Sequence, residues 1–119
     1  MQIKLTLPFP PSELNPNKRL HWTQKMKIKN EEKNIGFSLA QPHRGIFGLH
    51  NIHLFMFFHP ATNRSFDLDN ALASSKAILD GLASGLGIND KQFRPITIDY
   101  GAPDKNHPRV EITLEAKDE

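Results

Sequence analysis

The run Asn51-Ile-His-Leu-Phe-Met-Phe-Phe58 restricts the fold more than any other feature of this chain. It is short, nearly all apolar and rich in aromatic residues, the pattern of a strand rather than of a helix. A strand with so few polar positions is expected to be covered on much of both faces. Three further segments alternate with period two and supply strands to pair with it. Residues 2–7 place Ile3, Leu5 and Leu7 on one face, residues 95–100 do the same with Ile96, Ile98 and Tyr100, and residues 109–115 with Val110, Ile112 and Leu114. Residues 22–40 read as a helix with an apolar stripe (Ile28, Ile35, Leu39) and a basic stripe (Lys25, Lys29, Lys33) on a different face. Residues 70–86 read as a second helix, capped by Asp69 or Asn70, with Leu72, Leu79, Leu82 and Leu86 as its apolar side and Gly85 and Gly87 as its stop. Pro8, Pro10 and Pro11 end the first strand, and Gly101 to Pro108 is a turn-rich link suited to a hairpin between the last two strands. The order β-α-β-α-β-β predicts one α+β (α/β-like) domain over residues 1–119, a mixed sheet with packed helices.

The chain has no cysteine, which excludes a disulfide framework, a thiolate zinc site and a cysteine nucleophile. The alternating start Gln2-Ile-Lys-Leu-Thr6 lacks the apolar core of a signal peptide, and no stretch reaches the length of a membrane span. A cytoplasmic protein is therefore expected. Charge is uneven along the chain. Residues 1–44 hold eight Lys/Arg against three Asp/Glu, and residues 45–119 seven against ten, so a basic half precedes an acidic one. That division suits a protein that grips a polyanion and sets carboxylates beside it, although solvated surface charge gives the same totals.

The segment Ser65-Phe66-Asp67-Leu68-Asp69-Asn70 carries the strongest chemical signal. In extended chain, residues two apart point the same way, so Asp67 and Asp69 can aim at one point. Carboxylates without soft ligands nearby favour a hard cation such as Mg²⁺, with Mn²⁺ as a possible substitute. Helix capping and turn formation explain the same residues. Lys76, close to two helical turns beyond Asp69, falls near the same helix face and can lean back toward the carboxylates, where it would meet a phosphate. A lysine covering apolar surface with its stem is the competing explanation. Asp90, in Asn89-Asp90-Lys91-Gln92, joins the site only if the sheet returns it there. Phe66 is either core or an apolar wedge toward a nucleic acid. His53 and His59 share a strand face, but nothing nearby completes a zinc site. Lys18, Arg19, Lys25, Lys29, Lys33 and Arg64 are candidates for phosphate contacts.

Asp67-Leu-Asp69-Asn70, a helix bearing Lys76, and Asn89-Asp90-Lys91-Gln92, together with the early Pro10-Pro11-Ser12 and Asn15, resemble the RusA-type Holliday junction resolvases. The resemblance runs from about residue 3 to residue 114. It implies a small homodimeric endodeoxyribonuclease of phage or prophage type that resolves four-way DNA junctions by paired nicks in recombination and repair. By position, Asp67, Asp69 and Asp90 match the family's Mg²⁺-binding aspartates and Lys76 its essential lysine. Lys76 stands seven residues after Asp69 where the best-known members have four, and Asn89 stands where the family often has Asp. The alternative is a non-catalytic branched-DNA-binding protein that kept the fold. A third class is an interaction protein whose acidic turns are purely structural.

Overall fold

The computed structural model describes residues 1–63 and 66–117. Its sheet contains β1 (Gln2–Pro8), β2 (Ile52–His59), β3 (Phe93–Tyr100) and β4 (Arg109–Ala116), in the spatial order β1-β4-β2-β3. β4 runs antiparallel to both β1 and β2, whereas β3 is parallel to β2. Three helices accompany the sheet: α1 (Trp22–Ala40), α2 (Leu68–Ser74) and α3 (Lys76–Leu86). The architecture is the expected single mixed α+β domain. Among the described residues, no helix is long and apolar enough to cross a membrane.

β2 lies inside the sheet, and the burial expected on much of both its faces is fuller on one than on the other. Ile52, Leu54, Met56 and Phe58 are buried, and they join Val110, Ile112 and Leu114 of β4 and Ile78, Leu82 and Leu86 of α3 in one core. The alternate residues His53 and Phe55 are half-buried, and Phe57 remains 40% exposed. The His53 ring stacks on Phe55 at 3.8 Å and pairs with Thr97 Oγ1 at 2.8 Å, so neighbouring side chains give that second face partial cover.

The expected β3–β4 hairpin does not form. β4 lies between β1 and β2, so residues 101–108 carry the chain past the end of β2 instead of making a tight turn. Backbone bonds fasten this crossing: Gly101 N–H donates to Phe58 O at 2.8 Å and Asp104 N–H to Pro60 O at 2.7 Å. The His59 ring closes it by donating through Nδ1 to Ala102 O at 2.8 Å. A turn-rich composition marks the link without specifying which strands it joins. Here β4 bonds to β1 on one edge and to β2 on the other, and its Val110, Ile112 and Leu114 continue the buried face of β2 in one core.

α1 occupies the expected residues but buries a different face from the one its isoleucines mark. The buried positions are Glu32, Gly36 and Ala40, while Ile28 and Leu39 are half-buried and Ile35 is exposed. The reason is a close crossing of α1 on α3. A Cβ at Gly36 would strike Ile78 O, one at Gly81 would strike Lys33 O, and one at Gly85 would lie 2.6 Å from Phe37 O. Small residues let the two backbones meet, so large apolar side chains are pushed to the flanks of the contact. Gly85 accordingly lies inside α3. Gly87, left-handed with φ 76°, ends the helix.

The single helix expected over residues 70–86 is two. Ser74 Oγ donates to Asn70 O at 2.8 Å and Ser75 Oγ to Ala71 O at 2.9 Å. Paired hydroxyls bonded back to carbonyls four residues earlier compete with the backbone ladder and bend a helix. The break falls at Ser75 (φ −93°, ψ 0°), and Lys76 becomes the first residue of α3.

Candidate active site

An open cleft of 750 Å³ lies between α1, the α2–α3 pair, β3 and the loop after β1. Its floor is aliphatic, with Leu14, Leu72, Ile96 and Ile98 among the lining side chains. Lys25, Lys29 and Lys33 form one wall, and Asp69, Lys76 and Asp80 belong to the other. The helix crossing explains this placement. At 3.6 residues per turn, Lys25, Lys29 and Lys33 fall within an arc of about 100° that also contains Glu32, Gly36 and Ala40. That face is buried against α3 in the second half of α1. Nearer its start, the same face overhangs the cleft and presents lysines.

Lys76 is the centre of the charged groups on the opposite wall. Its ammonium donates to Asp80 Oδ1 at 2.6 Å and to Asp90 Oδ2 at 3.1 Å. The hydrogen bond to Asp80 is the main reason that Lys76 holds its proton more firmly than a free lysine, with Asp90 adding to the effect. The hydrogen bond from Lys76 likewise pulls the Asp90 carboxyl below its usual range. Asp90 is presented by a short 3₁₀ turn, Asp90–Gln92, with a reciprocal cap. Asn89 Oδ1 accepts from Lys91 N–H at 2.9 Å, and Gln92 Oε1 accepts from Asn89 N–H at 3.0 Å. Gln92 also donates through Nε2 to Gly48 O and His50 O, tying the turn to the segment before β2. Asn89 therefore does the capping, and the Asp90 side chain is left to face Lys76.

Asp67 and Asp69 are not two residues of one extended segment. α2 begins at Leu68, so Asp67 is its N-cap residue and Asp69 lies in its first turn. Asp69 faces the main cleft, whereas Asp67 faces an adjoining depression lined by Phe9, Pro10, Asn15 and Asn70. Among the described residues, the Asp67 carboxylate makes no capping bond to the helix backbone and only a long contact, 3.4 Å, from Asn70 Nδ2. It is thus available for another partner. Among the described residues, no three or more His, Cys, Asp or Glu side chains converge as a ready metal cage. The oxygens nearest to one are those of Asp80 and Asp90, which already face the Lys76 cation. This all-oxygen donor set suits a hard ion, and Mg²⁺ commonly uses only one or two carboxylates.

Lys18 and Arg19 are exposed in the loop leading to α1. Arg64 lies outside the described residues. Phe66 packs edge-on against Phe9, Phe58 and Tyr100 at ring separations of 5.7, 6.3 and 5.0 Å, which is a core role. Two residues of this region carry no signal that sequence reasoning picked up. Asp80 is four residues after Lys76 on α3, an ordinary helical ion-pair spacing. Tyr100 Oη donates to Phe66 O at 2.6 Å and so holds the backbone just before Asp67.

No family model matches this chain. An uncharacterized protein of Xylella fastidiosa is 37% identical over 94 residues, covering 75% of this chain. The chain spans 61% of the length of that relative. Among solved structures, the periplasmic domain of Helicobacter pylori MotB aligns over 97% of this chain and 81% of its own, with a TM-score of 0.41 and 14% identity. A likeness that distant says nothing about what this chain does.

Proposed function

We propose that the chain is a Mg²⁺-dependent, structure-selective DNA endonuclease that resolves four-way junctions by paired nicks, working as a homodimer. One observation carries this: a cleft with three lysines on one wall and Lys76, held by Asp80 and Asp90, on the other. A phosphodiester needs cations to hold it and carboxylates beside the scissile phosphorus. The segregation of charge in the cleft provides both, and the resemblance to RusA-type resolvases independently names Lys76, Asp69 and Asp90 among these residues.

In this reading Lys25, Lys29 and Lys33 grip the strand by its phosphates, and Lys18 and Arg19 extend the grip. Asp80 and Asp90 are the residues that would hold Mg²⁺, with Asp69 lining the same cleft and Asp67 in the adjoining depression. When bound, the ion supplies a Lewis acid next to the phosphate. Lys76, kept protonated by its two carboxylates, is placed to neutralise charge on the departing oxygen once it is released toward substrate. The two-fold symmetry of a dimer would place two such clefts for paired nicks.

The test is strand cleavage of a synthetic four-way junction and of a linear duplex, with Mg²⁺ and with EDTA, by wild type and by Asp69→Asn. Paired nicks near the crossover that vanish with EDTA and in the variant, while junction binding persists, are expected. Tight junction binding with no nicks in Mg²⁺ or Mn²⁺ would leave a branched-DNA-binding protein instead.

A further inference from the structure

We infer that α1 and the cleft below it form a track for a single DNA strand with its bases unstacked, rather than a seat for intact duplex. The inference deepens the nuclease reading by naming the form in which DNA occupies this site, and it rests on three features.

The first is the row of side chains on α1. Trp22 precedes Lys25 by three residues, and Lys25, Lys29 and Lys33 follow at intervals of four, so all four fall on one helix face. Trp22 is 71% exposed, and the His21 ring lies against it at 6.0 Å with the planes 26° apart. A large indole left in solvent at the head of a lysine row is the arrangement of a stacking platform beside a backbone groove. Lysines four residues apart on a helix are separated by about 6 Å along its axis. That spacing is comparable to the separation of successive phosphates on an extended strand.

The second feature is the cleft floor. Leu14, Leu72, Ile96 and Ile98 line it, and Ile96 on the β3 edge is 41% exposed. The sugar–phosphate rails of a duplex would gain nothing from such a surface, because their outer face is polar. The flat apolar face of a base turned out of its stack would be covered by it.

The third is the carboxylates of the far wall. Asp69 and Asp80 oppose the lysines across the aliphatic floor. An acidic peptide would be repelled there, whereas a base presents N–H groups that donate to these carboxylates in the metal-free protein. The occupant that suits all three surfaces is anionic along one rail, apolar across its face and a hydrogen-bond donor at its far edge, as an unstacked nucleotide is.

The experiment is titration of the full chain in EDTA with octathymidylate and with a duplex of the same length, read by tryptophan fluorescence. Trp22 is the sole tryptophan, so any quenching reports stacking at this platform. The single strand is expected to quench it and to bind more tightly than the duplex. Three phosphate contacts on a single strand give a slope of log K against log salt of about −2. Joint replacement of Lys25, Lys29 and Lys33 by Ala should remove that contribution and leave only the part of the slope that Lys18 and Arg19 supply. Trp22→Ala should weaken binding about tenfold, and Ile96→Ser several-fold with the slope kept. Absence of quenching, preference for duplex, or an unchanged slope in the triple variant would overturn the track. So would dissociation of a wild-type dimer by Ile96→Ser in analytical ultracentrifugation, since the cleft would then be covered by a second copy. Cleavage plays no part in these readings. A protein that nicks junctions without this quenching keeps the nuclease function and loses the track, and one that binds the single strand but never nicks does the reverse.

Discussion

Glu32 is a carboxyl on the buried face of α1, only 7% exposed, and its Oε1 has no hydrogen-bond partner. Burial, and secondarily the charge of neighbouring Glu31, raises its pKa above that of a free glutamate. A buried polar atom without a partner costs about 1–3 kcal/mol. Glu32→Met keeps the length of the side chain and has comparable helix propensity, so it removes that cost with little else changed. The gain expected at pH 7.5 is about 1–2 kcal/mol. For a chain of this size that amounts to a rise in Tm of roughly 3–8 °C. The dependence on pH follows from linkage. A group whose folded pKa is raised binds its proton more tightly in the native state, so its contribution is most favourable below the unfolded value of 4.5 and is lost as pH rises through the folded pKa. The advantage of the variant should therefore shrink as pH falls toward 4. Thermal melts of both proteins from pH 4 to pH 8 measure the difference directly, and titrations common to both cancel. A variant no more stable than wild type at pH 7.5, or an advantage that does not vary with pH, would refute the reasoning.

Two further outcomes are expected. Gly81→Ala drives a methyl into the Lys33 carbonyl, and backbone on both sides cannot yield cheaply; overpacking of about 1–3 kcal/mol outweighs a helix-propensity gain of about 1 kcal/mol, so urea melts should show a net loss, and a more stable variant would mean that α1 and α3 can part without cost. Tyr100→Phe keeps the ring against Phe66 but removes the bond to the Phe66 carbonyl, at a cost of about 0.5–1.5 kcal/mol; in a cleavage assay kcat should fall several-fold with KM little changed, and equal losses in both would show that the bond serves substrate binding instead of the placement of Asp67.

The secondary structure was largely legible because its signals are local. Period-two alternation places Ile3, Leu5 and Leu7 on one side of β1 whatever that strand pairs with. The bounds of α1 follow from the proline and turn residues that flank it and from the absence of proline within it. The division of the second helix was also written locally, in Ser74 and Ser75, but it depends on hydroxyls turning back to the chain when other rotamers were open to them. The face that α1 buries carries Gly36 and Ala40 and not the isoleucine stripe. In a close helix crossing the smallest residues mark the contact.

The candidate site divides in the same way. Asp67, Asp69, Lys76 and Asp90 stand out by residue type, spacing and family resemblance, and the basic row of α1 by its repeat of four. That much the amino-acid order determined by itself, because the chemistry of a side chain and the face it takes on a helix are local properties. Only the tertiary structure decided that β4 enters between β1 and β2, that the lysines overhang a cleft, and that Asp80 shares Lys76 with Asp90. These are juxtapositions of residues as far apart in sequence as Gln2 and Glu115. They depend on which apolar faces bury one another best, a sum over the whole core that no single stretch of sequence contains.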